Sequence, residues 1–309
     1  MHGEQQVKSG GVRREEEDAR MPLLIAPVFN SVAVDALSID VREPFQLVSG
    51  SDRLYDLCFR FLRNSMNENK LRFEDRVQPN SLFIYAQYPE MKVTSEDRQF
   101  IEEIENYLNI SSKAGVCSIP YVLIIDNPLY SISYLKRSFD GPKYEFTQEA
   151  RDLFERVLTQ NGRFPPVAYR RHMLSLEKES LEDQLLDLWI ALESLFVPDG
   201  TKGEITFKVR FRMAYYFGES FEERKQIVDF IKSSYSHRSE IVHSGKQLGA
   251  ELKEEVAMLK QLVSSALVNM YMEGISVQEL RGRLDELILS GECYTQRFGP
   301  KFFEKITFR

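Results

Sequence analysis

The chain is poor in the residues that usually announce chemistry. Its 309 residues include 3 cysteines, 4 histidines and 1 tryptophan. The cysteines (Cys58, Cys117 and Cys293) are widely spaced and odd in number. They make neither a disulfide framework nor a zinc-ligand pattern. No apolar run is long enough for a membrane span. Positive charge is in deficit: 40 Lys and Arg against 47 Asp and Glu give a net charge of −7. Such a chain does not coat nucleic acid as a whole, although a local basic pocket is compatible with it. The opening residues, MHGEQQVKSGGVRREEEDAR, are polar and lack the apolar centre of a signal peptide. These absences lead us to expect a cytoplasmic protein of a reducing compartment. The rest is ordinary globular composition, 43% hydrophobic and 28% charged, which excludes collagenous, low-complexity and mainly disordered chains. The length suits one large domain or two average ones.

Residues 1–20 carry a dense charge cluster and almost nothing apolar, so a disordered tail is expected there. Residues 22–146 read as a mixed α/β domain. Short apolar runs at 22–29, 81–86 and 121–125 look like buried strands, the last ending at the turn signal Asp126-Asn127-Pro128. Two helices are predicted between them, over 52–64 and 95–108. The second is opened by Thr94 and Asp97 in a capping-box arrangement. No glycine-rich phosphate loop, triad spacing or metal cluster is visible in this half.

From 147 the apolar period becomes helical, and five or six helices with short connections are predicted through 291. Pro165-Pro166 suits the start of a helix through Glu177, and Ser180 and Ser220 suit N-caps. Phe207 to Phe217 is both basic and apolar. Leu252, Val256, Leu259, Val263, Ala266 and Met270 form a heptad-like stripe, read as core or dimer contact. Ser276 caps a last helix that ends at Gly291, and 292–309 is left as a C-terminal extension. The expected fold class is therefore α+β overall: an N-terminal mixed α/β domain followed by an all-α bundle.

Two features of the bundle carry chemical interest. Leu185, Trp189, Leu192 and Phe196 share one helical arc, and Glu193 falls about 40° from Trp189. A carboxylate at the margin of a buried face calls for a cationic partner. The second feature is Arg238-Ser-Glu-Ile-Val-His243. Ile227, Ile231, Ser234, Arg238 and Val242 step along one face, so Arg238 stands where an apolar residue is expected. Five helical steps put Arg238 and His243 about 140° apart. One helix aims the two poorly at a single point, whereas two copies across a two-fold axis would bring both to one cleft.

A guanidinium grips phosphate through two donors, and an imidazole exchanges protons near neutral pH. Together they suit attack of a ribose 2′-hydroxyl on the adjacent phosphate, a reaction that needs no metal or cofactor. Blander readings stand beside this one. Arg238 could pair with Glu193 and lock two helices. His243 could be a helix-end histidine favoured by the dipole. His237 reads as exposed rather than catalytic and as a possible RNA contact, and Lys208, Arg210 and Arg212 read as a solvated face or as RNA-phosphate contacts.

Three blocks in order now carry a resemblance: Leu185-Leu-Asp-Leu-Trp-Ile-Ala-Leu-Glu-Ser-Leu-Phe196, the basic helix with Arg210 and Arg212, and Tyr235-Ser-His-Arg-Ser-Glu-Ile-Val-His-Ser-Gly245. They resemble the Apea-like branch of the HEPN superfamily over about 165–272. The resemblance implies a helical bundle that pairs as a homodimer and a metal-independent ribonuclease motif, an Arg and a His separated by four to six residues. That motif maps to Arg238 and His243. Ser239 maps to a polar position that assists, and Glu193 to an acidic residue that orients the arginine. In the family the histidine is often followed directly by Gly, whereas here Ser244 intervenes. Family members often act in toxin–antitoxin and antiphage systems, which implies an antitoxin or defence-system partner besides an RNA substrate. Some members are catalytically silent, so the alternative implied is a module that binds nucleotide, RNA or protein.

Overall fold

The computed structural model describes residues 21–62, 73–112, 115–135, 143–160, 162–197, 205–244, 249 and 251–301. The expected tail over 1–20, the loop at Asp199-Gly200, the helix-stop residue Gly245 and positions 302–309 of the C-terminal extension lie outside the described residues.

The chain is an α+β protein whose N-terminal sheet is followed by helices. The first half contains β1 (Leu23–Pro27), β2 (Ser31–Ala33), β3 (Ser38–Arg42), β4 (Phe45–Ser49), α1 (Asp52–Leu62), β5 (Leu82–Gln87), α2 (Ser95–Ser111), β6 (Tyr121–Asp126), β7 (Leu129–Tyr134) and β8 (Tyr144–Phe146). Six strands form one sheet in the order β3-β4-β5-β1-β6-β7. Every neighbouring pair in it is antiparallel. β2 and β8 make a small parallel pair.

Alternation along the strands splits the sheet's side chains between two layers. Leu24, Ala26, Ile84, Ala86, Val122 and Ile124 pack with Phe100, Ile101, Ile104 and Leu108 of α2. Ile25, Phe83, Leu123 and Ile125 pack with Cys58, Phe61 and Leu62 of α1. Helices therefore cover both faces of the central strands. That is why β1, β5 and β6 were readable as continuous apolar runs. The edge strands β3 and β7 alternate polar and apolar residues and stay half-exposed, so the sequence pattern missed them.

The second half contains α3 (Gln148–Thr159), α4 (Pro166–Glu177), α5 (Leu181–Phe196), α6 (Ile205–Phe217), α7 (Phe221–Ser244), α8 (Glu251–Glu273), α9 (Val277–Ser290) and α10 (Tyr294–Phe298). Thr147, Ser180 and Ser276 each cap a helix by accepting a hydrogen bond from the backbone N–H three residues on. Two expectations need correction. α3 was expected to open the bundle, yet its Ala150 and Phe154 belong to the core of the sheet. The C-terminal extension contains α10, whose Tyr294 is buried edge-on against Tyr216 of α6.

The bundle surrounds α5, whose Leu185, Trp189, Leu192 and Phe196 are fully buried. The α8 stripe from Leu252 to Met270 is buried within the same chain, so it is core and not a dimer contact. Bundle and sheet meet at an aromatic cluster. Phe164 stacks on Tyr169 and on Tyr271, with ring centroids 4.6 and 4.3 Å apart. The Tyr271 hydroxyl donates to the backbone carbonyl of Val157 at 2.9 Å. A Cβ at Gly162 would lie 2.4 Å from the Tyr271 carbonyl oxygen, so only glycine lets the chain pass there.

Candidate functional site

Trp189 docks α7 onto α5. Its indole N–H donates to the Ser234 hydroxyl at 2.9 Å, and its ring meets Tyr235 edge-on at 5.3 Å. One turn further along both helices, Glu193 meets Arg238, with Oε1 and Nη2 3.4 Å apart. The contacts advance in the same direction on both helices, so α5 and α7 run parallel here. The Arg238 guanidinium also lies over the Tyr235 ring at 5.6 Å, a cation–π contact that steadies it.

Both charged side chains sit at the rim of the core, with Arg238 26% and Glu193 24% exposed. Burial raises the Glu193 carboxyl above its ordinary range, and the opposing pull of Arg238 does not cancel that rise. The pair is thus an incompletely solvated carboxylate holding a guanidinium that still reaches solvent.

His243 lies on the last turn of α7 and is exposed, as is Val242 beside it. Val242 therefore departs from the buried stripe expected for it: Ile227, Ile231 and Ser234 are buried, and the stripe leaves the core at Arg238. Within one chain Arg238 turns toward α5 while His243 turns to solvent. The structure joins Glu193 to Arg238 and does not bring His243 to them. Ser239, next to Arg238, is half-buried.

The basic residues of α6 have different fates. Lys208 and Arg210 are half-buried, and the Arg210 guanidinium lies 5.9 Å from the ring centroids of both Phe207 and Phe211. Arg212 is neither a solvated residue nor a free phosphate contact. It is 6% exposed, forks onto Asp285 at 2.8 and 2.9 Å, and donates to the Phe196 carbonyl at 2.6 Å. Arg281 donates to the carbonyls of Ser194 and Leu195 at 2.6 and 3.0 Å. Two arginines thus take up the orphan carbonyls at the end of α5 and fix the helix turn that carries Glu193.

Sequence reasoning missed two polar contacts and one buried histidine. His237 is not simply exposed: its Nδ1 lies 2.6 Å from Oε2 of Glu255 on α8. Arg171 pairs with the buried Asp187 at 2.7 Å. His172 is buried on α4, its Nδ1 has no partner among the described residues, and burial, with the Lys260 charge, drives its pKa down to about 3. Burial also pulls Lys260 down to about 8. A signal for two of them existed. Glu255 falls between Leu252 and Leu259 on the apolar stripe, and His172 falls between Ala168 and Ser175 on another. A polar residue in such a position calls for a partner.

Among the described residues, no group of three His, Cys, Asp or Glu side chains could hold a metal ion. None of their helices is long and apolar enough to cross a membrane. The chain matches no protein-family model, no curated protein and no solved structure.

Proposed function

We propose that the chain is a metal-independent endoribonuclease of the HEPN type, acting as a homodimer with α7 at the composite cleft. The observation that carries this reading is the division of labour on α7. Glu193 orients Arg238 at the rim of the core, while His243 projects from the exposed end of the same helix. Two copies of such a helix supply the groups that the reaction requires. One imidazole takes the proton of the ribose 2′-hydroxyl as O2′ bonds to phosphorus. The P–O5′ bond breaks, and a protonated imidazole delivers its proton to O5′. Arg238 neutralises the charge that gathers on the non-bridging oxygens. The products are a 2′,3′-cyclic phosphate and a 5′-hydroxyl. Ser239 assists beside the arginine, and Lys208 and Arg210 are available to the RNA backbone. Cytoplasmic action within a toxin–antitoxin or antiphage system is part of the same reading.

The purified chain is expected to cleave single-stranded RNA in EDTA and to leave the cyclic phosphate end. Arg238→Ala and His243→Ala should each abolish cleavage with circular dichroism unchanged; cleavage that persists in either variant removes the assigned site.

The Arg238–Glu193 ion pair also favours a second reading, a catalytically silent module in which the pair locks α5 to α7 and the surface binds nucleotide, RNA or a protein partner. Glu193→Gln separates the two. In the nuclease reading, where burial already raises the carboxyl, loss of its charge should change stability by no more than about 1 kcal/mol. A nuclease would lose activity with Arg238 no longer oriented, whereas a lock would lose melting temperature.

A further inference from the structure

The nuclease reading leaves one polar pair unused. Glu255 is only 9% exposed, and its Oε2 lies 2.6 Å from His237 Nδ1. Its other oxygen, Oε1, is buried without a hydrogen-bond partner among the described residues. A carboxylate carried under a helix and half-satisfied there costs stability, and such a group calls for an explanation beyond packing. What it does achieve is plain from the chemistry. A carboxylate oxygen only accepts, so the imidazole donates its Nδ1 proton, and the tautomer is fixed. In the neutral ring the lone pair is then left on Nε2, and the side chain is 28% exposed. An imidazole that donates through Nδ1 to a buried carboxylate and keeps its lone pair on Nε2 is the arrangement of an oriented proton acceptor.

The position on α7 adds to this. His237 immediately precedes Arg238, so the two side chains leave the helix about 100° apart, closer than the 140° or so between Arg238 and His243. Glu193 on α5 and Glu255 on α8 therefore hold two consecutive residues of one helix, a guanidinium and an imidazole.

We infer that His237 is a proton acceptor for the same phosphodiester reaction and that Glu255 is its positioning residue. This rests on the nuclease reading above and changes its assignment of roles. His237 Nε2 takes the proton from the 2′-hydroxyl as the O2′–P bond forms. The protonated His243 gives its proton to the departing O5′, and Arg238 holds the phosphate between them. One proton is taken up and one delivered, so the step balances without a co-reactant.

The test uses the full chain, a labelled single-stranded RNA in EDTA, and nitrogen-15 NMR of the histidine rings. In the wild type, His237 should carry its proton on Nδ1, and Glu255→Gln should release it from that tautomer. Glu255→Gln and His237→Ala should each lower kcat by about 10²-fold with KM little changed. The double variant should be no worse than His237→Ala alone, because Glu255 acts only through that ring. The exposed neighbour Glu254, changed to Gln, should leave kcat intact. Full kcat in His237→Ala, with Arg238→Ala and His243→Ala inactive, overturns the role of His237 and leaves the nuclease reading standing. A Glu255→Gln loss that follows only the folded fraction, with the His237 tautomer unmoved, reduces the pair to a structural tie and overturns the proposal. A wild type that cleaves no RNA overturns the nuclease reading and this inference with it.

Discussion

At the scale of single residues, the histidines of this chain are told apart by their surroundings. His243 faces solvent, His237 leans on a carboxylate, and His172 is sealed among helices with Lys260 nearby. The last of these has a consequence for stability. In the unfolded chain His172 takes a proton near pH 6.5, but in the folded chain only near about 3. The unfolded state therefore binds more protons throughout that window. Stability contributed by the neutral ring is complete above pH 6.5 and is lost as pH falls toward 3. His172→Leu should flatten the acid limb of the stability curve by about 1.4 kcal/mol per pH unit, measured as urea midpoints across the window. An unchanged limb would mean that the ring is protonated in the native state. Glu193 obeys the opposite logic. Its carboxyl is raised, so its ionised form weighs against folding as pH rises, which argues that its charge serves Arg238 more than the fold.

At the scale of elements, the position of the site depends on how α5 is finished. Its last carbonyls are taken by Arg212 and Arg281, and α7 is registered on it by Trp189 and Ser234. Removing Arg212 breaks its fork to Asp285 and uncovers the Phe196 carbonyl. Arg212→Ala should therefore destabilise the chain by about 2–4 kcal/mol in urea unfolding, with Asp285 left partly solvated. Lys208→Ala, on the half-buried surface of the same helix, should cost less than about 0.5 kcal/mol. Equal effects would show that Arg212 is not the tie described above. The two residues read alike in sequence, as cations in one amphipathic helix. Only the approach of α9, with Asp285, separated a tie within the core from a surface charge. The helices themselves were legible: the start of Leu181–Phe196 follows from Ser180, which supplies the cap, and its buried face from the unbroken apolar period. Strands β3 and β7 were not, since an edge strand that is half in solvent lacks the apolar run that marks a buried one.

At the scale of the whole molecule, the geometry of one chain leaves the proposed reaction incomplete. Arg238 faces α5 and His243 faces outward from α7, so the reading requires a second copy to close the cleft. Static light scattering should show a dimer at micromolar protein. Specific activity should fall on dilution below the dissociation constant; activity that stays constant in a strictly monomeric chain would dispose of the shared cleft. The sheet domain is tied to the bundle through Tyr107 of α2 against Phe164 and through the Tyr271 hydroxyl on the Val157 carbonyl, and α3 is shared between the two cores, with Ala150 and Phe154 in one and Leu153 against the other. A role in restraining or positioning the bundle would have to act through that contact.

The amino-acid order alone determined where the helices begin, which arcs they bury, and that an arginine and a glutamate stand out of place on two apolar faces. Those properties are local, because caps and periodicity act within a few residues of chain. Which charges meet was decided only by the packed structure. Glu193 lies 45 residues from Arg238, and Glu255 lies 18 from His237. Nothing in a helical period specifies a neighbour on another helix. That choice is made when apolar faces close, and the charges left at their edges must find each other or remain unpaired out of water.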